Sequence, residues 1–323
     1  MTRRIAVVGA GSMGANHARI LSLMDVELAA VVDADESRAR ALGARFGCPW
    51  STDLAQVESL DAAIVAVPTA AHLPVALLGL EMGLDLLVEK PLAGSSAEGA
   101  RIVQAAQEAG RVLAVGHVER FNPACLDLAR FVRDPHFFSA RRTSPYTSRI
   151  AEGVITDLMI HDVDILLALA PGTVPVSVKS EMAAIRSATE DIAVATIVFE
   201  NGLLAQLHAS RMAQQKVREI EFVQNDMTVI ADLLHQDITI RRQGTVEYVD
   251  DGGRRLREST IMEIPYLETR GEPLHLELED FVRAVETRQA PRVSGAAGLR
   301  ALELCEKIRL GSWSAPLTAG VTA

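Results

Sequence analysis

Ile5-Ala6-Val7-Val8-Gly9-Ala10-Gly11-Ser12-Met13-Gly14 is the stretch that decides how this chain folds. The apolar run Ile5–Val8 reads as a short strand buried on both faces. G-x-G-x-x-G follows it directly, and a helical pattern runs from Met13 to about Met24. Each glycine answers a different steric demand. Gly9 permits the tight turn, Gly11 lets backbone approach a pyrophosphate, and Gly14 lets helix pack closely on strand. The helix start, with Ser12 and Met13 in its first turn, offers amide donors and a positive dipole end to phosphates. A second strand, Glu27–Val32, ends in Asp33, about 20 residues beyond the glycines, where a carboxylate can accept bonds from ribose hydroxyls. The same carboxylate repels a 2′-phosphate, so NAD is expected over NADP. Arg38, a turn into the next helix, would soften that preference if it reached the ribose; its plainer reading is an exposed helix charge.

Strand and helix go on alternating. Ser37–Phe46 is helical, and Asp61–Val67 is a buried strand ending at Pro68-Thr69. His72–Met82 is helical, and Leu84–Val88 is a buried strand ending at Glu89-Lys90-Pro91. A helix begins at Ser95 or Ser96 with a capping-box pattern to Glu98 and runs to Ala109. Arg111–Val115 is a further strand, ending at Gly116-His117. This pattern predicts an α/β unit with a doubly wound parallel sheet. Ligands bind at the carboxyl ends of such strands. That rule gathers Gly9, Asp33, Pro68, Thr69, Glu89, Lys90 and His117, and His72 at the next helix start joins the cofactor set. Lys90 has two readings: a structural ion pair with Glu89 or another acid, or a cation that polarises a substrate oxygen. The Lys90-Pro91 bond is a candidate for the cis form.

After His117-Val118-Glu119-Arg120-Phe121-Asn122-Pro123 the pattern changes. Pro123 starts a helix to about Arg133, ended by Asp134-Pro135, and His136–Ser144 reads as a strand. Strands of period two then dominate: Val174–Ile185, Ile192–Phe199, Leu203–Ala209, Arg218–Val223, Met227–Ile230 and Ile238–Arg241, with Asn201-Gly202 as a hairpin turn. Asp250 to Ser259 reads as a polar loop. Two helices, Leu274–Thr287 and Ala296–Leu310, close the chain, and the tail from Ser312 orders only by docking. The expected division is residues 1–121, a dinucleotide-binding domain, and 122–323, an α+β domain with a large, mainly antiparallel open sheet. Ile192, Val194, Thr196 and Val198, with Leu204, Gln206 and His208, give that sheet a partly apolar second face. A homodimer or homotetramer formed through it would cover that face.

Between the domains' main features lies Gly153-Val-Ile-Thr-Asp-Leu-Met-Ile-His-Asp-Val-Asp164. It reads as a mostly buried helix, yet it carries Asp157, His161, Asp162 and Asp164. At helical spacing Asp157 and His161 are neighbours on one face, and Asp164 lies a turn further along it. Buried ionisable groups must be paired or face a wet cleft. The plain reading is a core histidine satisfied by carboxylates; the functional one is an active site. A metal is the rival reading, but one histidine and two carboxylates on one helix make a poor zinc set without a ligand from elsewhere.

Composition narrows the class. The 323 residues are 49% hydrophobic and 23% charged, a globular composition with room for two domains. The net charge of -10 disfavours a nucleic-acid surface. Cys48, Cys125 and Cys305 form no disulfide or zinc pattern, which points to a reducing compartment. The N-terminal apolar run is too short for a signal-peptide core, and no run approaches membrane-spanning length. A cytoplasmic location follows as the expectation, with neither nucleic acid nor membrane as partner.

Three motifs in order, Gly9–Gly14, Glu89-Lys90-Pro91 and Asp157-x-x-x-His161-x-x-Asp164, resemble the Gfo/Idh/MocA oxidoreductase family over essentially the whole chain. The resemblance implies an N-terminal Rossmann domain, a C-terminal α+β domain, and a nicotinamide-dependent dehydrogenase of a cyclic polyol or sugar. It implies that Lys90, Asp157 and His161 are catalytic and that Asp164 supports them. Val115–Ala124 is similar to one branch, the UDP-N-acetylglucosamine 3-dehydrogenases, so the expected substrate is a UDP-N-acetylhexosamine. His117, Arg120 and Asn122, in that stretch, join Lys90, Asp157 and His161 as candidate substrate contacts. Arg141, Arg142, Arg149 and Arg211 are further candidates for a diphosphate, although only one of the adjacent Arg141 and Arg142 can face a cleft. An inositol-type dehydrogenase is the alternative. A non-catalytic NAD-binding regulator is the other, and loss of the lysine or histidine, both kept here, would favour it. In this reading His161 takes the hydroxyl proton, since an ordinary imidazole titrates at a pKa of about 6.5. Asp157 binds hydroxyls or orients the histidine, and Lys90 stabilises the developing alkoxide.

Overall fold

Runs of Ile, Val and Ala with no polar break leave no face to show to water, so they lie at the centre of a layered unit. In the computed structural model, which describes residues 2–147, 152–250 and 253–314, these runs are β1 (Arg4–Val8), β2 (Glu27–Val32), β4 (Ala62–Val65), β5 (Asp85–Glu89) and β6 (Leu113–Gly116). A two-residue edge strand, β3 (Trp50–Ser51), was not foreseen; two residues carry no period to read. All six strands are parallel, in the order β3-β2-β1-β4-β5-β6. The order reverses between β1 and β4, and there the carboxyl ends open a crevice for ligand. Helices α1 (Ser12–Leu21), α2 (Glu36–Phe46), α3 (His72–Glu81) and α4 (Ser96–Glu108) connect the strands. Asp35 caps α2, accepting from the amides of Ser37 and Arg38, and Ser95 caps α4, accepting from that of Glu98.

The chain divides into two units. One is Met1–Phe121 with Gly271–Glu303, the other Asn122–Arg270 with the chain from Leu304. The expected division at residue 121 therefore needs correcting at its far end. Helix α7, here taken ahead of its place in the chain (Pro273–Thr287), belongs with the parallel sheet. Its stripe Leu274, Leu278, Phe281, Val285 packs with Ile5, Val7, Ile20, Ile64 and Leu87. Arg288, just past it, reaches Asp85 at 2.6 Å. The stripe shows that a helix packs somewhere, not which core receives it. The last helix, α8 (Gly295–Arg309), carries the division within it.

The second unit holds α5 (Pro123–Leu128), β7 (Phe137–Thr143), a π-helical turn (Ile155–Met159) running into α6 (Ile160–Leu169), β8 (Pro175–Ala183), β9 (Ile192–Phe199), β10 (Leu204–Ser210), β11 (Val217–Val223), β12 (Met227–Asp232), β13 (Asp237–Asp250), β14 (Gly253–Glu263) and β15 (Ser312–Ser314). The sheet order is β14-β13-β12-β11-β7-β10-β9-β8-β15. Only β7 and β10 run parallel; the other pairs are antiparallel. In β9 the alternation is complete: Ala193, Ala195, Ile197 and Phe199 are buried, while Val194 and Val198 are exposed, as is Leu204 on β10. The expected polar loop from Asp250 is instead mostly strand, with Asp250 opposite Gly253 and Ile240 opposite Glu263. The charges that suggested a loop suit a strand at the rim of a sheet equally well. The first three residues of the tail, Ser312–Ser314, pair with β8, with Trp313 opposite Val178. Among the described residues no helix is long and apolar enough to cross a membrane.

Candidate active site

The glycine loop leaves β1 and enters α1 as the spacing requires. Gly9 sits at φ +105°, where a side chain would be strained, and an added Cβ would strike the Ala66 carbonyl. A Cβ on Gly14 would strike the carbonyl of Gly9. Gly11 differs, because a Cβ there meets no atom within 4 Å. Two glycines thus build the turn and the third leaves open space above it. Helix α1 starts with no side-chain cap, so the amides of its first turn, with Ser12 exposed and Met13 half-buried, carry no side-chain acceptor. Asp33 is half-buried at the end of β2; its Oδ2 accepts from the Ala10 amide at 2.7 Å and its Oδ1 from Asp35 at 2.9 Å. Uncapped amides, open space and a fixed carboxylate fit the pyrophosphate and ribose of NAD. Arg38 has its plainer reading: its side chain is 65% exposed and pairs with Asp35 at 3.4 Å.

Pro68 and Thr69 follow β4, Glu89 ends β5 and Lys90 comes directly after it. The Lys90-Pro91 peptide is cis. This turn is held from two sides. On one, the buried Glu89 carboxylate lies 2.7 Å from Nε2 of His17 and accepts the Lys90 amide at 3.2 Å. On the other, the His72 ring bridges two backbone carbonyls, with Nδ1 2.9 Å from Pro91 O and Nε2 2.9 Å from Val67 O. His72, expected at the cofactor, is instead a buried tie between the ends of β4 and β5. His17 and Glu277 escaped the sequence reading. Among the described residues, His17, Glu89 and Glu277 form the one group of three histidine and carboxylate side chains whose ligand atoms all lie within 4.8 Å of each other. At 2.7 Å the His17–Glu89 pair is a direct hydrogen bond.

His117 is fully buried after β6, and Arg120 is half-buried. Asn122 does structural work in place of the expected substrate contact: its Oδ1 accepts from the Ala124 amide at 3.1 Å, capping α5, and its Nδ2 donates to Leu233 O at 2.9 Å. A residue that starts a helix before a proline is an N-cap, and that signal was in the sequence.

The Gly153–Asp164 stretch is not one regular helix. Val154 leads into the π-helical turn carrying Asp157, and α6 carries His161, Asp162 and Asp164. π turns occur mostly as single-turn bulges, often at functional sites. Ile155, Met159, Ile160, Val163 and Leu166 are buried, while Asp157 and His161 are half-buried. Asp164 and Asp162 are each 2% exposed. Asp162 is gripped by Arg142 of β7, whose Nε lies 3.0 Å and 3.1 Å from the two carboxylate oxygens, with an NH2 2.7 Å from one of them. Removing one partner of a buried pair of this kind typically costs about 3–5 kcal/mol. Arg142 is therefore an anchor for α6, and not the expected diphosphate ligand. Arg211 is likewise buried, 3.8 Å from Asp157. Arg141, on the opposite face of β7, is 54% exposed and 4.0 Å from Glu219. Arg149 lies outside the described residues.

Comparison with known proteins agrees with this arrangement. Residues 3–117 match the family profile described as oxidoreductase family, NAD-binding Rossmann fold, and residues 126–230 match the GFO/IDH/MocA C-terminal domain. The chain is 30% identical over 310 residues to the UDP-N-acetylglucosamine 3-dehydrogenase of Acidithiobacillus ferrooxidans, covering 95% of this chain and 96% of that one. A solved structure of that enzyme superposes with a TM-score of 0.86 at 29% identity, covering 96% and 97% of the two chains. Inositol 2-dehydrogenase 2 of Saccharopolyspora erythraea is 35% identical over 179 residues, about half of each chain at 51% and 53%. This chain belongs to the Gfo/Idh/MocA family and is an NAD-dependent oxidoreductase acting on CH–OH groups.

Proposed function

We propose that the protein is a sugar dehydrogenase that oxidises a secondary hydroxyl of a nucleotide-linked sugar, the 3-hydroxyl of a UDP-N-acetylhexosamine. The observation that carries this reading is coverage. Likeness to the UDP-N-acetylglucosamine 3-dehydrogenase runs through both units, over 95% of the chain. Likeness to the inositol dehydrogenase stops at 51%.

NAD, held over Gly11 by the first amides of α1 and by Asp33, would supply the hydride acceptor. The protein's own groups manage the proton. His161 accepts it from the hydroxyl, as an imidazole near neutrality is suited to do. Lys90 offers a cation to the developing alkoxide, on a turn that His17 and His72 hold in place. Asp157 orients the sugar or the imidazole. Asp164, one turn beyond His161 on α6, supports it. In the reverse direction the same groups return the proton to a ketone.

The test is NADH formation with a panel of UDP-sugars and free polyols. Turnover of UDP-N-acetylglucosamine is expected; turnover of inositol with no UDP-sugar active would overturn the substrate assignment. The exposed apolar residues Val194, Val198 and Leu204 further support a homodimer or homotetramer built through the open sheet. Light scattering that finds a monomer at micromolar concentration would remove that part of the reading.

A further inference from the structure

Two consecutive acids before β9, Glu190 and Asp191, belong to none of the motifs above. Glu190 reaches the start of the π-helical turn that carries Asp157 directly, and Asp191 lies one residue on, beside Arg211. Glu190 accepts the Val154 amide on its backbone oxygen at 3.0 Å and the Ile155 amide on Oε1 at 3.3 Å. It therefore caps the first turn of the Asp157 segment. Its carboxylate lies over Gly153, where any side chain would collide with it.

Asp191 is fully buried. One oxygen, Oδ2, accepts the amides of Ile185, Arg186 and Ser187 at 2.7, 2.6 and 2.9 Å. Burial works against its charge, yet these amides and the Ser187 hydroxyl hold it well below the usual carboxylate range. Its other oxygen faces Nε of Arg211 at 4.0 Å. The Arg211 side chain is 2% exposed. Its NH2 donates to the Glu152 carbonyl and lies 3.8 Å from Oδ2 of Asp157. A buried guanidinium thus stands between two carboxylates, one locked by backbone and one part-exposed at the proposed site.

We propose that Asp191 and Arg211 are positioning residues for Asp157: Asp191 fixes the guanidinium, and the guanidinium fixes the orientation of the Asp157 carboxylate. This rests on the reading of Asp157 as a group that acts on substrate or on His161. A long surface arginine could not do the same, because its freedom and hydration leave a partner's geometry loose. The planar fork of a buried arginine is already ordered before substrate arrives.

The test is a double-mutant cycle on the full chain with NAD and UDP-N-acetylglucosamine, or inositol if the panel selects it. Asp191→Asn keeps shape and removes the charge. It is expected to lower kcat roughly 10- to 100-fold, the scale of a misplaced catalytic group, with KM and the NAD dissociation constant little changed. In an Asp157→Asn background the same substitution is expected to have almost no further effect, because sites that act through one another are not additive. Should Asp191→Asn fail to fold, Arg211→Lys, which keeps the charge but loses the fork, enters the cycle in its place. Additive losses, or a full loss that persists without the Asp157 carboxylate, would overturn the positioning role. If Asp157→Asn alone leaves turnover intact, the reading of Asp157 itself fails, and the positioning role goes with it.

Discussion

His161→Asn is expected to lower kcat by about 10²–10⁴-fold, the usual contribution of a positioned general base, while the NAD dissociation constant stays at its parent value. The separation follows from the architecture. His161 lies on α6 in the second unit, and the glycine loop and Asp33 lie on the parallel sheet of the first. An asparagine side chain fits the half-buried position without leaving an unmatched charge. α6 keeps its anchor because Arg142 and Asp162 are untouched. Lys90→Ala is expected to cost about 10²–10³-fold in kcat, the scale of removing one group that stabilises developing negative charge. Steady-state rates from nicotinamide absorbance and calorimetric NAD titration separate the two effects. Unchanged turnover in either variant removes that residue from the mechanism. Lost NAD affinity in the His161 variant would make that residue a cofactor ligand instead.

Gly11→Ala is expected to fold like the parent and to lose NAD affinity by about 10- to 100-fold. An added Cβ at Gly11 meets no protein atom, so the apo fold has no reason to change. The methyl would stand where the pyrophosphate approaches the backbone, and overpacking of that kind costs about 1–3 kcal/mol. Gly14→Ala is the contrast, since its Cβ would strike the Gly9 carbonyl inside the turn. That variant should lose thermal stability whether or not NAD is present. Melting curves without cofactor and NAD titrations on both variants check the pair. Parent-like NAD binding by Gly11→Ala would mean that the diphosphate does not lie over that glycine.

The parallel sheet was legible because its signals are local. Ile5–Val8 and Ala62–Val65 are uninterrupted apolar runs, and the glycines sit between a strand and a helix. The residues Asp157, His161 and Asp164 stood out because charge inside an apolar helix needs a reason. What sequence hides is who meets whom. Arg142 and Arg211 look like surface cations until their partners Asp162 and Asp191 are brought in from other elements. His72 and Asn122 lie beside motifs, but their polar atoms are taken by backbone at Val67, Pro91, Ala124 and Leu233. His17 had a faint signal, a histidine on the buried face of α1, yet its partner Glu89 lies 72 residues away. The π turn has no period to announce it. Helix α7 showed its stripe plainly, and only the fold reveals which sheet it covers.

Hydride transfer from the sugar's C3 to NAD is tested most directly by isotopic labelling. UDP-N-acetylglucosamine carrying deuterium on the carbon of its 3-hydroxyl is incubated with the protein and NAD, and the reduced cofactor is analysed by mass spectrometry. The deuterium is expected to appear in NADH, with the label lost from the sugar as the ketone forms. Reduced cofactor without label would place the oxidised hydroxyl elsewhere on the sugar, and no reduction with this substrate alongside reduction with inositol would contradict the assignment to a nucleotide-linked sugar.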